Sequence, residues 1–294
     1  MSAVQTLSPS TSVVLQLPGG WFRNNAGWVS GRDGVLLVDT FATEERSREL
    51  LDAVAGATPD GGSLRAVLTH AHGDHAHGAR QVVERGGEVL AAPSAGAVVA
   101  AGPHLYPGVF ECSNWGDVTP PESTTPVVEP LRLDLGGIEA HVLPVPGTAH
   151  TDGDLVVWVP DDGVLFTGDL LFNGVCPLAF SGSVTGWAEA LDWLAGFGAA
   201  TLVPGHGQVS AAEEDLIGRV AEYLRWLLDV AAGPEELPSL AAQARDRYPG
   251  WLDAERHVVN LAVARSEVRG TPFDLVAAMG AALAEVGGPI RLDV

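Results

Sequence analysis

Four side chains able to bind a metal are packed into six residues: His70, His72, Asp74 and His75, within Thr69-His70-Ala71-His72-Gly73-Asp74-His75-Ala76-His77-Gly78. In an extended segment His70 and His72, two residues apart, point to the same side. Gly73 permits a sharp turn, after which Asp74 and His75 can face back from the first turn of a helix. Imidazoles joined by a carboxylate suit zinc or another borderline divalent ion, with iron and manganese as further candidates, and a set split by a turn can feed two ions. Three later turns follow the same design. Pro146-Gly147-Thr148-Ala149-His150, Thr167-Gly168-Asp169 and Pro204-Gly205-His206 each place one ligand-type residue after a short apolar run, with glycine close by.

His-x-His-x-Asp-His, then a single histidine, an aspartate and a histidine on strand-end turns, make residues 20–210 resemble the metallo-beta-lactamase fold superfamily. The resemblance implies an α+β fold: an αβ/βα sandwich core over residues 1–210, with an all-helical C-terminal extension over 211–294 packed on it. It also implies how the ligands divide. His70, His72 and His150 would hold one zinc ion and Asp74, His75 and His206 a second, with Asp169 bridging them and Asp74 and Asp169 serving the chemistry. Asp39, at a strand end, would support the metal loop from behind. The di-iron branch of the superfamily would need a glutamate where His72 stands, which sets it aside. A mononuclear iron sulfur dioxygenase keeps most of the same residues and stays open.

The elements that must position these residues read as short strands alternating with helices. Ala26–Ser30 and Val35–Val38 flank Gly31-Arg32-Asp33-Gly34, which predicts a hairpin. Thr43 can cap a helix with Glu44 and Glu45 in its first turn, running to about Val54. Arg65–Thr69 is the strand that delivers the first motif, and a helix over Ala76–Arg85 stops at Gly86-Gly87. Strands at Ile138–Val145, Asp154–Val159, Val164–Thr167 and Thr201–Val203 lead to the later ligands. Such alternation puts helices on sheet faces.

Two stretches show neither period. Gly102–Val127 is rich in proline and aromatics, and Leu171–Gly186 is apolar and glycine-rich. Long irregular loops in a compact domain are uncommon unless they do something. Both are expected to wall the site, with His104, Phe172 and Phe180 meeting substrate and Tyr106 acting as a general acid or oxyanion donor. Beyond Ser210 the pattern turns helical, at Glu213–Val230, Leu237–Tyr248, Leu252–Val268 and Phe273–Val286. This tail would cap the sandwich, wall the substrate or form the face of a homodimer. His77 should turn away from the metals, and His257 should sit at the surface or between helices.

Charge excludes some functions. The chain has 37 acidic and 16 basic residues, a net charge of −21, and every basic residue is an arginine. Such a surface repels a nucleic-acid backbone. Without lysine there is no Schiff-base chemistry. No run approaches the roughly 18 apolar residues of a membrane span, and Met1–Ser12 lacks a leader pattern, so a soluble cytoplasmic protein is expected. Cys112 and Cys176 are too few for a disulfide framework; reduced thiols are expected, with one bridge left open.

Further stretches narrow the resemblance. Asn25-Ala26-Gly27-Trp28-Val29, Phe172-Asn173-Gly174-Val175, Phe180-Ser181-Gly182-Ser183-Val184 and Tyr223-Leu224-Arg225-Trp226 are similar to the actinorhodin-type second- and third-ring cyclases of aromatic polyketide pathways. That likeness implies aldol ring closure of a polyketide bound to acyl carrier protein, with thioester hydrolysis at the same zinc centre, in antibiotic biosynthesis. Docking an acidic carrier would need an arginine patch, for which Arg23, Arg225 and Arg256 are the candidates. The rival is a thioester hydrolase resembling glyoxalase II, whose glutathione recognition draws on basic residues. The tail supplies only irregularly spaced arginines.

Overall fold

The computed structural model describes residues 4–294; residues 1–3, where the stretch read for a leader begins, lie outside the described residues. Strands β1 (Val4–Thr6), β2 (Thr11–Leu15), β3 (Asn25–Ser30) and β4 (Gly34–Val38) form an antiparallel run. The turn between β3 and β4 is the expected hairpin, with Ser30 opposite Val35. From β4 the sheet continues in parallel through β5 (Ser63–Val67) and β6 (Glu88–Ala91). After a two-residue strand β7 (Phe110–Glu111), β8 (Thr125–Pro126) closes this seven-stranded sheet. The second sheet has six strands, β9 (Leu131–Asp134), β10 (Glu139–Pro144), β11 (Leu155–Val159), β12 (Val164–Asn173), β13 (Thr201–Gly207) and β14 (Ser210–Ala211), antiparallel except where β12 meets β13.

The second sheet is apolar on both faces, so its central strands read as unbroken hydrophobic runs rather than alternations. Leu155, Val157 and Val159 of β11 and Val164 and Phe166 of β12 turn inward, against the first sheet. Their neighbours Val156 and Leu165 turn outward into a separate core made with the helices of the tail. Helices α1 (Glu44–Ala57), α2 (Gly73–Ala76), α3 (Ala79–Glu84) and α4 (Pro93–Ala100) belong to the first half, and α5 (Val184–Ala195) to the second. Thr43 caps α1 as expected, accepting from the Arg46 N–H. The single helix expected over Ala76–Arg85 is two, α2 and α3, parted at Gly78. There the chain passes so close to Ser47 and Thr40 that a Cβ would lie 2.4 Å from Ser47 Oγ.

Strand β12 is longer than the sequence suggests. Its expected end at Thr167 is an irregularity in pairing around Gly168, after which the strand resumes and sets Phe172 opposite His206. Leu170–Phe172 are therefore buried strand residues rather than loop, and the irregular stretch begins at Gly174.

Four helices follow: α6 (Leu216–Ala231), α7 (Leu237–Arg247), α8 (Arg256–Arg269) and α9 (Leu275–Val286). Leu216, Val220, Tyr223, Leu224 and Leu227 form the buried stripe of α6. Helix α8 begins later than expected because Leu252 is held as a bridge to the 174–176 segment, with Cys176 N–H donating to Leu252 O at 2.9 Å. A last strand, β15 (Ile290–Arg291), pairs in parallel with β7. His257 takes the second of its two expected places, between helices rather than at the surface: on α8 it is buried with Cys176, Asn260 and Tyr223 of α6, its Nδ1 2.8 Å from Tyr223 Oη. Cys112 and Cys176 are both free. No helix among the described residues is long and apolar enough to cross a membrane.

Candidate metal centre

The ligand-type residues converge at one edge of the two sheets. Thr69–His72 continue from the end of β5, and α2 begins at Gly73, where an added Cβ would strike the His77 ring. From the second sheet come His150 on the turn between β10 and β11, Asp169 on β12 and His206 on β13. Ligand atoms of His70, His72, His150 and Asp169 lie within 4.8 Å of one another, and those of Asp74, His75 and His206 form a second such group. His72 Nδ1 is 3.0 Å from both His70 Nε2 and His150 Nε2. Asp169 faces both groups: Oδ2 is 3.5 Å from His150 Nε2 and 3.5 Å from His206 Nε2, and Oδ1 is 3.1 Å from His75 Nε2.

The outer nitrogens decide which atoms face inward. His75 Nδ1 donates to Asp39 Oδ2 at 2.8 Å, and His206 Nδ1 donates to Gly19 O at 2.8 Å. Thr69 Oγ1 donates to Asp39, so His70 Nδ1 donates in turn to Thr69 Oγ1. His72 Nε2 stands 3.0 Å from Ser181 Oγ. Each of these contacts presents the other ring nitrogen to the centre as a lone pair. His75 Nε2 and Asp169 Oδ1 then approach without hydrogen-bond alignment, and neither makes a hydrogen bond elsewhere. Lone pairs gathered this closely need positive charge between them. Five imidazoles and two carboxylates, all buried but for half-buried His72, with His70, His72, His75 and His206 contacted at their outer nitrogens, are a donor set that fits two zinc-like ions.

Without metal, protons take part of that role. Burial works to discharge His206, but the Asp169 and Asp74 carboxylates overcome it and raise the imidazole to about 9. Burial likewise opposes charge on His75, and Asp169 and Asp39 raise it well above its usual range. His72 and His150 are pushed down, chiefly by burial, to about 4 and about 3. At pH 7 the metal-free centre therefore carries protons on His75 and His206 that incoming ions must displace. Metal affinity should rise with pH up to about 9, and uptake at pH 7 should release roughly two protons per chain. Calorimetric titration with zinc in buffers of different ionisation enthalpy measures that number; a heat independent of buffer would refute it.

The centre forms the floor of a cavity of about 410 Å³, onto which His72, Asp74, His150, Asp169 and His206 open. Phe180 lines this cavity and stacks on the His72 ring at 5.0 Å. Tyr106 stands at the rim, and burial keeps its phenol protonated. Two expected wall residues are elsewhere. His104 is turned toward α4, where its Nε2 meets Val98 O at 3.1 Å, and Phe172 is buried behind the centre, stacked on His206 at 5.1 Å. The latter follows from the extension of β12, which points the ring inward. His77 turns away, its Nδ1 donating to Ala42 O. The proposed arginine patch does not form: Arg23 pairs with Asp293, Arg225 with Asp192, and Arg256 is buried against Asp253.

Sequence reasoning missed several contributors. Ser181 sits in a glycine-flanked loop that gives no ligand signal. Gly19 accepts from His206 only because it packs onto β13, where an added Cβ would lie 2.4 Å from Gly207 N. The opposite wall of the cavity comes from Phe110 and α9, which lie in the irregular stretch and the tail expected to wall the site, and from Phe22, which gave no such signal.

The sequence pattern of the Metallo-beta-lactamase superfamily matches residues 19–206. Among curated proteins, the chain is 33% identical over 172 residues to a hydroxyacylglutathione hydrolase from a Synechococcus species, covering 54% of this chain and 57% of that one. A hydroxyacylglutathione hydrolase from Methylobacillus flagellatus is 30% identical over 177 residues, covering 59% and 58%. The chain thus spans less than two thirds of the length of these relatives. Among solved structures, a metallo-beta-lactamase from Pontibacter korlensis superposes with a TM-score of 0.61 at 21% identity, over 76% of this chain and 99% of that one, a likeness of fold. These relatives correct the expectation of an aromatic polyketide cyclase in antibiotic biosynthesis: the sequence likeness runs to hydroxyacylglutathione hydrolases.

Proposed function

We propose that this chain, which belongs to the metallo-beta-lactamase superfamily, is a hydrolase that cleaves an acyl thioester at two divalent ions, zinc in the first instance. His70, His72 and His150 would hold one ion, Asp74, His75 and His206 the other, and Asp169 would lie between them. The observation that carries the reading is the facing pair His75 Nε2 and Asp169 Oδ1, 3.1 Å apart, buried and without a hydrogen bond. The hydrolase names of the sequence relatives support the choice of bond.

When bound, two such ions polarise an acyl oxygen and lower the pKa of water so that it attacks at neutral pH. The chain's own residues do the rest. Asp39 and Thr69 fix His75 and His70 in the ligating tautomer, and Ser181 does so for His72. Asp74, at the cavity floor with its Oδ2 3.2 Å from His206 Nε2, is held ionised, despite burial, by His75 and His206 and so stays available as a donor to the second ion. Tyr106 offers its Oη–H to substrate from the rim. Phe180 packs on His72 and shields that side of the centre from water.

Thiol release from S-lactoylglutathione and from simple acyl thioesters tests the reading. Zinc-loaded protein should release thiol, chelation should abolish release, and added zinc should restore it. A fully loaded protein that releases none from any thioester would refute the proposal.

A further inference from the structure

Helix α9 inverts the usual arrangement of an amphipathic helix. Its sequence, Leu-Val-Ala-Ala-Met-Gly-Ala-Ala-Leu-Ala-Glu-Val, carries no charge before Glu285. Yet the residues it buries are the small ones, Ala278 and Ala282, four apart on one face. The large side chains Leu275, Met279 and Leu283, also at intervals of four, line the cavity over the metal centre, together with Val276, which is 83% exposed. A helix that only capped the sandwich would bury its leucines and leave its alanines outside. Here the apolar bulk is held over an open space that continues to Asp74, Asp169 and His206.

The facing side of the cavity matches it. Phe22 and Phe110 pack edge to face at 5.0 Å, and Leu178 and Phe180 continue the apolar surface down to His72. Among the described residues, Arg256 is the only charged one lining the cavity outside the metal cluster, and its charge is already engaged. It pairs with Asp253 at 2.7 Å, donates to Cys176 O at 3.0 Å and lies over the Trp21 ring at 3.9 Å. No free cation is therefore left in the chamber to receive the carboxylates of a glutathione-like group. The volume, about 410 Å³, falls in the roughly 300–1,000 Å³ range of sites for drug-sized ligands.

We infer that α9 and the Phe22–Phe110 wall form an acyl-recognition chamber, with Met279 and Leu283 as specificity-determining residues, and that the substrate carries a bulky apolar acyl group, a medium-length chain or a ring system. The inference rests on the thioester reading for the bond cleaved; the chamber itself rests on the wall.

The experiment compares zinc-loaded enzyme on the S-acetyl, S-decanoyl and S-(2-naphthoyl) thioesters of N-acetylcysteamine and on S-lactoylglutathione, and measures calorimetrically the binding of the thiol-free amide analogue N-(2-acetamidoethyl)decanamide. The decanoyl or naphthoyl thioester should exceed the acetyl one in kcat/KM by about 30-fold or more, since each added methylene in an apolar pocket gains roughly 10-fold or more. Met279→Glu and Leu283→Glu should each weaken amide binding and lower the decanoyl-to-acetyl ratio about 10-fold or more, with two ions still bound. Preference for S-lactoylglutathione or the acetyl thioester, or amide binding that ignores both substitutions, overturns the inference. Should no thioester be cleaved while the amide binds and both substitutions weaken it, the hydrolase reading falls and the chamber stands.

Discussion

Asp169→Ala should reduce bound zinc from about two ions per chain to one or fewer and lower turnover on the order of 10³-fold. The carboxylate is the one group within reach of both ligand sets, with Oδ2 3.5 Å from His150 Nε2 and Oδ1 3.1 Å from His75 Nε2. Without it, two cations would sit close together with no anion between them, and His75 and His206 would lose the charge that opposes their desolvation. The polarising effect of a catalytic ion is worth several kcal/mol, and about 1.36 kcal/mol is a factor of ten in rate. Elemental analysis and steady-state kinetics on the same preparation measure both effects. Two tightly held ions with near wild-type turnover would remove Asp169 from the centre.

Asp39→Asn should weaken both ion positions while leaving the fold in place. Asp39 is buried in the left-handed backbone region at φ 63°, which asparagine also tolerates. Its Oδ1 accepts from Thr69 N–H at 2.7 Å, and its Oδ2 accepts from Thr69 Oγ1 and His75 Nδ1, each at 2.8 Å. An amide keeps the first bond but presents N–H where Oδ2 was. His75 must then accept at Nδ1 and carry its proton on Nε2, aimed at Asp169 where a lone pair is needed. Loss of such an outer partner typically costs 10–100-fold in metal affinity. Thr69 Oγ1 must likewise accept from the amide and turn its O–H to His70 Nδ1, so metal titration should show both sites weakened about that much, while the melting temperature of chelated protein changes little. Unchanged affinity at both sites would contradict the tautomer argument.

The sequence made the ligands legible because metal coordination constrains residue type, spacing and the turn that follows, all of which are written locally in His70–His75 and in the glycine-flanked turns at His150, Asp169 and His206. The β3–β4 hairpin and the Thr43 cap were legible for the same reason. What eluded it depends on contacts across the chain. Periodicity in Leu275–Val286 reveals an apolar helix but not whether its large residues face a core or a cavity. The irregularity at Gly168 reads as the end of β12, although pairing with β13 resumes beyond it. His257 looks like an unremarkable helix residue until Cys176 and Tyr223, 81 and 34 positions away, are brought against it.

The ligands are also divided between the two halves of the sandwich: His70, His72, Asp74 and His75 follow the first sheet, whereas His150, Asp169 and His206 belong to the second. Each ion of the proposed centre would therefore be a clasp across the seam where the sheets meet, and pulling the halves apart would mean releasing it. Folding and metal supply become one equilibrium, in which an ion at 100 times its dissociation constant adds about 2.7 kcal/mol to the work of unfolding. For a chain whose charge of −21 favours expansion, cations at the proposed centre would also hold its two sheets shut.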